Sequence, residues 1–255
     1  VTMKQEIDGG VMDDRSVAVS MDGMGTLTLN NHGGSSAMSA VDDVTPTAYG
    51  ESWDVIGLTA ASSSLTAGQA GKEGAIGGFA TNNSFFYNVP EMVDGLGINV
   101  SYSPSNSARP DGSISYALAY TGVEGLSVSY GVGEAGSTTA TLSGDVTTLK
   151  GSYAIGSFTA AISETESDLT TGTDEELSSF KISYTVTDDL SISYGEETHE
   201  TSGQTVDEEF SQISASYTTG GMTLSAAVQE ATGLGNNTGA SGQADRWKLG
   251  ASFAF

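Results

Sequence analysis

Apolar and small polar residues alternate along most of this chain. In "GSISYALAYT", Ile114, Tyr116, Leu118 and Tyr120 fall on one side of an extended backbone, and Ser113, Ser115, Ala117 and Ala119 fall on the other. A period of two is the mark of a β-strand whose faces meet different surroundings. The same reading recurs with Leu96, Ile98, Val100 and Tyr102; with Leu126, Val128 and Tyr130; and with Phe180, Ile182, Tyr184 and Val186. It recurs again with Leu190, Ile192 and Tyr194, and with Met222, Leu224, Ala226 and Val228, each opposite a face of Ser, Thr, Gly, Asn or Ala. The pattern predicts about fourteen strands, near residues 1–7, 16–22, 24–31, 82–89, 95–104, 112–121, 125–133, 145–154, 157–166, 176–186, 189–198, 208–218, 222–230 and 245–255.

The connections alternate in length. Short turns are expected at Asp22-Gly23, Val93-Gly95, Gly122-Glu124, Ile155-Gly156, Thr187-Asp189 and Thr219-Gly221. Polar loops are expected at 8–15, 105–111, 134–144, 167–175, 199–207 and 231–244. Strands joined this way run up and down, with tight turns at one end and loops at the other. The segment 32–81 stands apart, because it lacks strand periodicity and is far longer than an ordinary connection. Its Trp53, Val55, Ile56 and Leu58 are apolar anchors for a loop packed inside the rest, so the chain reads as one domain over 1–255 with 32–81 inserted.

Composition decides which solvent each face meets. Only 16% of residues are charged, and 8 Lys and Arg stand against 32 Asp and Glu for a formal net charge of -24. So acidic a chain lacks the cations that neutralise a phosphate backbone, which sets nucleic acid aside. There is no cysteine, hence no disulfide or thiolate metal site. No apolar run is long enough for a membrane-spanning helix, but strands of a membrane barrel alternate and average to a neutral hydropathy. A soluble sheet normally covers its wet face with Lys, Glu, Arg and Gln, whereas here the polar face is Ser, Thr, Gly and Ala. That suits the lumen of an aqueous channel, with the apolar face toward lipid. Tyr120, Tyr153, Tyr184 and Tyr217 sit on the apolar face beside the short turns, as in an interfacial aromatic girdle. The rival reading is a soluble β-rich surface adhesin or S-layer-like structural protein with the tyrosines in its core.

Three stretches carry a resemblance to the general bacterial outer-membrane porins, and among them the alphaproteobacterial type. "SVAVSMDGMGTLTLNNHG" resembles the strand, turn and strand that lead into the long third loop of that family. "NNSFFYNVPEMVDGLGINVSYSP" is similar to the strand, proline-containing turn and strand that follow it, and "RWKLGASFAF" to the terminal strand. The resemblance implies an all-β, transmembrane, antiparallel up-and-down β-barrel of sixteen strands, a size that leaves an aqueous channel. About fourteen are found here, so the first two are expected to be missing before Val1. It also implies a homotrimer in the bacterial outer membrane, in contact with its lipid and lipopolysaccharide, passing small hydrophilic solutes and ions without catalysis. Phe255 takes the place of the closing aromatic residue that serves the family as an assembly signal. Outward Gly151, Ala160, Ala215 and Ala251 are compatible with a close subunit interface.

Alternation places Lys4, Lys150, Lys181, Arg246 and Lys248 on the lumen side of their strands. One explanation is that a cation facing lipid at the bilayer midplane costs about 2–4 kcal/mol. The other, implied by the resemblance, is a basic pore wall opposing acids on the inserted loop. The acids in that loop are Asp42, Asp43, Glu51, Asp54 and Glu73, candidates for a constriction or simply solvated charges. Carboxylates in a pore favour cations, and the overall charge points to a cation preference. The remaining acids crowd "DLTTGTDEEL" and "GEETHETSGQTVDEEF", expected external loops whose oxygens are candidate calcium ligands but lack EF-hand spacing. His32 and His199 are expected on loop surfaces, with no motif around them. No nucleophile and base can be assembled, so no enzyme is expected and no cofactor beyond that calcium.

Overall fold

A computed structural model describes residues 1–8, 11–32, 34–38, 41, 82–106, 112–135, 143–171 and 173–254. Fourteen strands follow one another through one 14-stranded sheet in chain order. They are β1 (Thr2–Asp8), β2 (Val11–Met21), β3 (Gly25–His32), β4 (Ser84–Asn88), β5 (Leu96–Ser103), β6 (Ser113–Tyr120) and β7 (Leu126–Ala135). The others are β8 (Gly144–Ile155), β9 (Phe158–Leu169), β10 (Glu175–Thr187), β11 (Leu190–Thr201), β12 (Glu208–Thr219), β13 (Met222–Thr232) and β14 (Ala244–Phe253). All fourteen expected strands are present, in the up-and-down antiparallel order that the alternating connections require.

The short turns explain themselves locally. Gly220 and Gly221 join β12 to β13 with φ of 54 and 82, the left-handed pair that lets a two-residue turn match the twist of its strands. Between β10 and β11, Thr187 Oγ1 accepts from the amides of Asp189 at 3.3 Å and Leu190 at 3.1 Å. At the other end the strands run further than expected. The expected loop 8–15 is mostly strand, since β1 reaches Asp8 and β2 begins at Val11. There Lys4 Nζ lies 2.5 Å from Asp14 Oδ2, so Asp14, expected in a loop, pairs with a cation on the adjacent strand.

The chain divides into two compact units. One takes in Val1–Asp42, Lys72–Leu149 and Thr165–Asp174. Its exposed face carries Leu29, Phe85, Tyr102, Tyr116, Leu118 and Tyr130, while Ser84, Ser101, Ser113, Ser115 and Ser129 are buried on the opposite face. The other takes in Asp43–Gly71, Lys150–Glu164 and Glu175–Phe255. It exposes Phe158, Ile162, Ile182, Ile192, Tyr217 and Leu224, and it buries Ser163, Ser179, Ser193 and Ser214. Each unit is therefore inverted relative to a protein that folds around an oily core in water: the large apolar side chains face out and the hydroxyls face in. Three pairs of buried hydroxyls bond across the ladder, at 2.6 Å for Ser101 and Ser115, 2.9 Å for Thr148 and Thr165, and 2.7 Å for Ser193 and Ser214.

The apolar side of β11 and of β13 is bounded. On β13 it runs from Met222 to Val228 and gives way to Glu230; on β11 Ile192 and Tyr194 give way to Glu196. At ~3.3 Å per residue the β13 stretch spans roughly 20 Å, close to the apolar band of about 25 Å on outer-membrane barrels. Acids of the two stretches read as external loops thus stand on strand extensions beyond this band, Glu176, Glu196, Glu200 and Glu209, and Glu230 and Asp245 hold the same position on β13 and β14.

Candidate functional site: the buried polar face

In the first unit, the beginning of the long segment lies on the buried face. Ala37, Met38 and Val41 form a cluster with Ala117 and Val146, with Phe86 and Leu169 packed against it. The amide of Ala37 donates to Ser101 Oγ at 3.0 Å, and the amide of Val41 to the Met38 carbonyl at 2.9 Å. Beneath them β5 to β7 present Ser101, Ser115, Ala117, Ser129 and Gly131. These positions are small because a second layer rests on them. A Cβ at Gly131 would come within 2.2 Å of Val41 Cγ2 and 2.9 Å of Met38 Sδ. Gly131→Val is therefore expected to unseat this layer or cost about 1–3 kcal/mol of overpacking. Gly97→Ala, on the same face with only the Ala119 carbonyl at 3.8 Å, is expected to be silent, and urea unfolding of both variants checks it.

Lys4 shares its face with Ser16 and the buried Asn30 through the β1–β2 and β2–β3 registers, and its ammonium also lies 3.4 Å from Glu6. The loop acids Asp42, Asp43, Glu51, Asp54 and Glu73 lie outside the described residues, as does Phe255.

In the second unit, one cross-strand row runs Lys181, Gly195, Gln212, Gln229 and Arg246, and the next holds Ser193, Ser214, Ala227 and Lys248. Lys181, Arg246 and Lys248 are thus brought into two adjoining rows of one face, and Lys150 continues the alternation of Val146 and Thr148 along β8. Lys181 is 1% exposed. Its stem lies across Gly195, where an added Cβ would sit 3.2 Å from both Lys181 Cδ and Cε. Beside it, Gln229 Nε2 donates to Gln212 Oε1 at 2.8 Å.

His199 corrects the sequence reading. It stands in β11, 2% exposed, rather than on a loop surface. Its Nδ1 is 3.0 Å from Oε2 of the fully buried Glu208, and its Nε2 is 3.6 Å from Oε2 of Glu175. On β11 this level is beyond Tyr194, the last residue of the apolar band. Burial opposes the charged imidazole, but the bonds to Glu175 and Glu208 outweigh it and raise the pKa from its ordinary 6.5 to about 9. Extending the alternation of "LSISY" past Tyr194 places Glu197 and His199 on the small polar face; the charged string "GEETHET" hides it. His32, at the end of β3, is exposed as expected. Among the described residues no group of three or more His, Asp or Glu side chains is arranged to hold a metal ion.

A family model described as Gram-negative porin matches residues 4–255. No curated protein matches by sequence. Among solved structures, the anion-selective porin from Comamonas acidovorans is similar at a TM-score of 0.65 and 14% identity, over 95% of this chain and 78% of that one. OmpF of Salmonella typhi, in complex with daunomycin, is similar at 0.62 and 13%, over 95% and 78%. OmpT of Vibrio cholerae in its trimer form is similar at 0.55 and 15%, over 95% and 80%. At these identities the likeness is one of fold.

Proposed function

Because this chain belongs to the Gram-negative porin family, proteins of the bacterial outer membrane, we propose that it is a passive diffusion channel for small hydrophilic solutes and ions. The observation that carries the reading is the inverted sheet. Its exposed face is a band of Ile, Leu, Phe and Tyr, and its buried face is mostly Ser, Thr and Ala with a few charges and two small apolar clusters. Such a wall is stable only with lipid on the outside and water or a polar segment on the inside. Permeation then needs no chemistry, only partition into a polar lumen.

The lumen is narrowed by residues of the 32–81 segment, beginning where Ala37, Met38 and Val41 rest on the sheet. Selectivity follows from the field there. The net charge of -24 draws cations, while Lys181, Arg246 and Lys248 oppose them from the wall. The long-range excess dominates, and the channel prefers cations. Anion selectivity in the Comamonas porin is a property of that protein and does not transfer at 14% identity. Reversal potentials across a planar bilayer in a KCl gradient are the test; the expected sign is that of cation preference, and the opposite sign overturns it.

The functional unit is a homotrimer, as in the trimer form of the Vibrio OmpT, with the remaining band in contact with outer-membrane lipid and lipopolysaccharide. Unboiled and boiled samples run at different gel positions if a detergent-stable oligomer forms.

A further inference from the structure

The connection between β13 and β14 does not stand free. Leu234 turns inward and packs in a cluster with Leu177, Phe210 and Ala231 on the buried face of β10 to β13, with Ala244 against it. Gly233 makes the turn at φ 71, where an added Cβ would meet the Asp207 carbonyl at 1.8 Å. The amide of Gly235 donates to Glu208 Oε1 at 2.7 Å, and Asn236 Nδ2 to the Val206 carbonyl at 2.9 Å. The rest is self-braced: the amide of Leu234 donates to the Gly242 carbonyl at 3.1 Å, and Asn237 Nδ2 to Ser241 Oγ at 2.9 Å.

Glu208 therefore has two jobs. One carboxylate oxygen holds Gly235, and the other holds His199 at 3.0 Å. We propose that residues 233–243 form a strap drawn inward over the buried face, fastened by Glu208 and released when the His199–Glu208 pair is discharged.

The reason is electrostatic. On this face, β10 contributes Glu175 and, further along, Lys181; β11 contributes Glu197 beside His199; β12 contributes Glu208; and 233–243 has no titratable side chain. In the row of Lys181, β14 adds Arg246. With His199 charged, three carboxylates share the face with three cations. With His199 neutral two cations remain, both in the row of Lys181, and the fully buried Glu208 loses its nearest positive partner. Burying that charge becomes unfavourable, and the group regains water by letting go of the strap. His199 holds its proton up to about pH 9, so the strap is fastened at neutral pH and released above about 9.

The strap itself does not depend on the channel reading; its effect on current does. The test uses the folded, detergent-solubilised protein with Leu234→Cys as the probe. Maleimide labelling is compared with Ser202→Cys, an exposed reference that cancels the pH dependence of thiol chemistry. Labelling at Leu234→Cys is expected to be about tenfold slower than the reference at pH 7 and to approach it above pH 9. Adding Glu208→Ala is expected to remove the protection already at pH 7. Glu208→Gln, which keeps an acceptor for Gly235 but carries no charge, is expected to retain protection and lose the pH response. Equal labelling at pH 7, or protection that ignores both pH and the Glu208 substitutions, overturns the strap. In bilayers the same pH step is expected to raise single-channel conductance. Protein that labels as described but passes no current supports the strap and overturns the channel.

Discussion

Glu208→Ala is expected to lower the unfolding free energy by about 3–5 kcal/mol, the usual consequence of leaving the other half of a buried charge pair behind. The substitution leaves His199 with Glu175 alone and removes the acceptor of the Gly235 amide. Equilibrium urea unfolding in lipid vesicles measures it. The pH dependence has a definite sign. His199 binds its proton more tightly in the folded chain, at about 9, than at its ordinary 6.5. Its contribution is therefore complete below pH 6.5 and fades as pH rises through 9, each pH step of one between those values removing about 1.4 kcal/mol at most. His199→Gln should flatten that decline and be less stable than the native protein at pH 6. A native protein whose stability is level between pH 6 and 10 contradicts the assignment.

Ile213→Lys is the second large effect. Ile213 is 63% exposed on the apolar side of β12, and in water an exchange at so open a position is worth within about 0.5 kcal/mol either way. In a bilayer the same lysine costs about 2–4 kcal/mol near the midplane, falling toward the interfaces. Glu209→Lys, on the same side of the same strand but beyond the band, should be nearly neutral. The difference between the two variants in vesicles separates lipid from water as the solvent of this face. If both are neutral, the apolar face does not meet lipid, and the soluble adhesin regains its standing.

Period-two alternation is enough to find the fourteen strands of the described residues, because most set a face rich in Ile, Leu, Val, Phe or Tyr against one of Ser, Thr, Gly or Ala. Short-turn ends are legible nearly to the residue, since Gly-Gly and Asp-Gly pairs interrupt the pattern there. Long-loop ends are not. Past Ile162 and Tyr194 the outward residues become Glu164, Glu166, Glu196 and Glu200, so the contrast between faces vanishes and strand looks like loop. The same loss of contrast conceals His199. The face of Lys181, Arg246 and Lys248 can be read from parity alone, but which of them share a row depends on register, which alternation leaves open. Small residues on β5 to β7 suggest an open lumen, whereas here they make room for Met38 and Val41. Composition cannot distinguish a surface that meets water from one that meets another layer of chain.

The strand extensions beyond the apolar band have a consequence for the supply of ions. Glu176, Glu196, Glu200, Glu209, Glu230 and Asp245 are carried on hydrogen-bonded strands rather than on loops, so their charge stays fixed above the membrane plane. At low ionic strength, where screening reaches roughly 30 Å, this charge concentrates counter-ions at the entrance far above their bulk level. Access resistance then stops tracking the bath, and conductance falls less steeply than salt concentration on dilution.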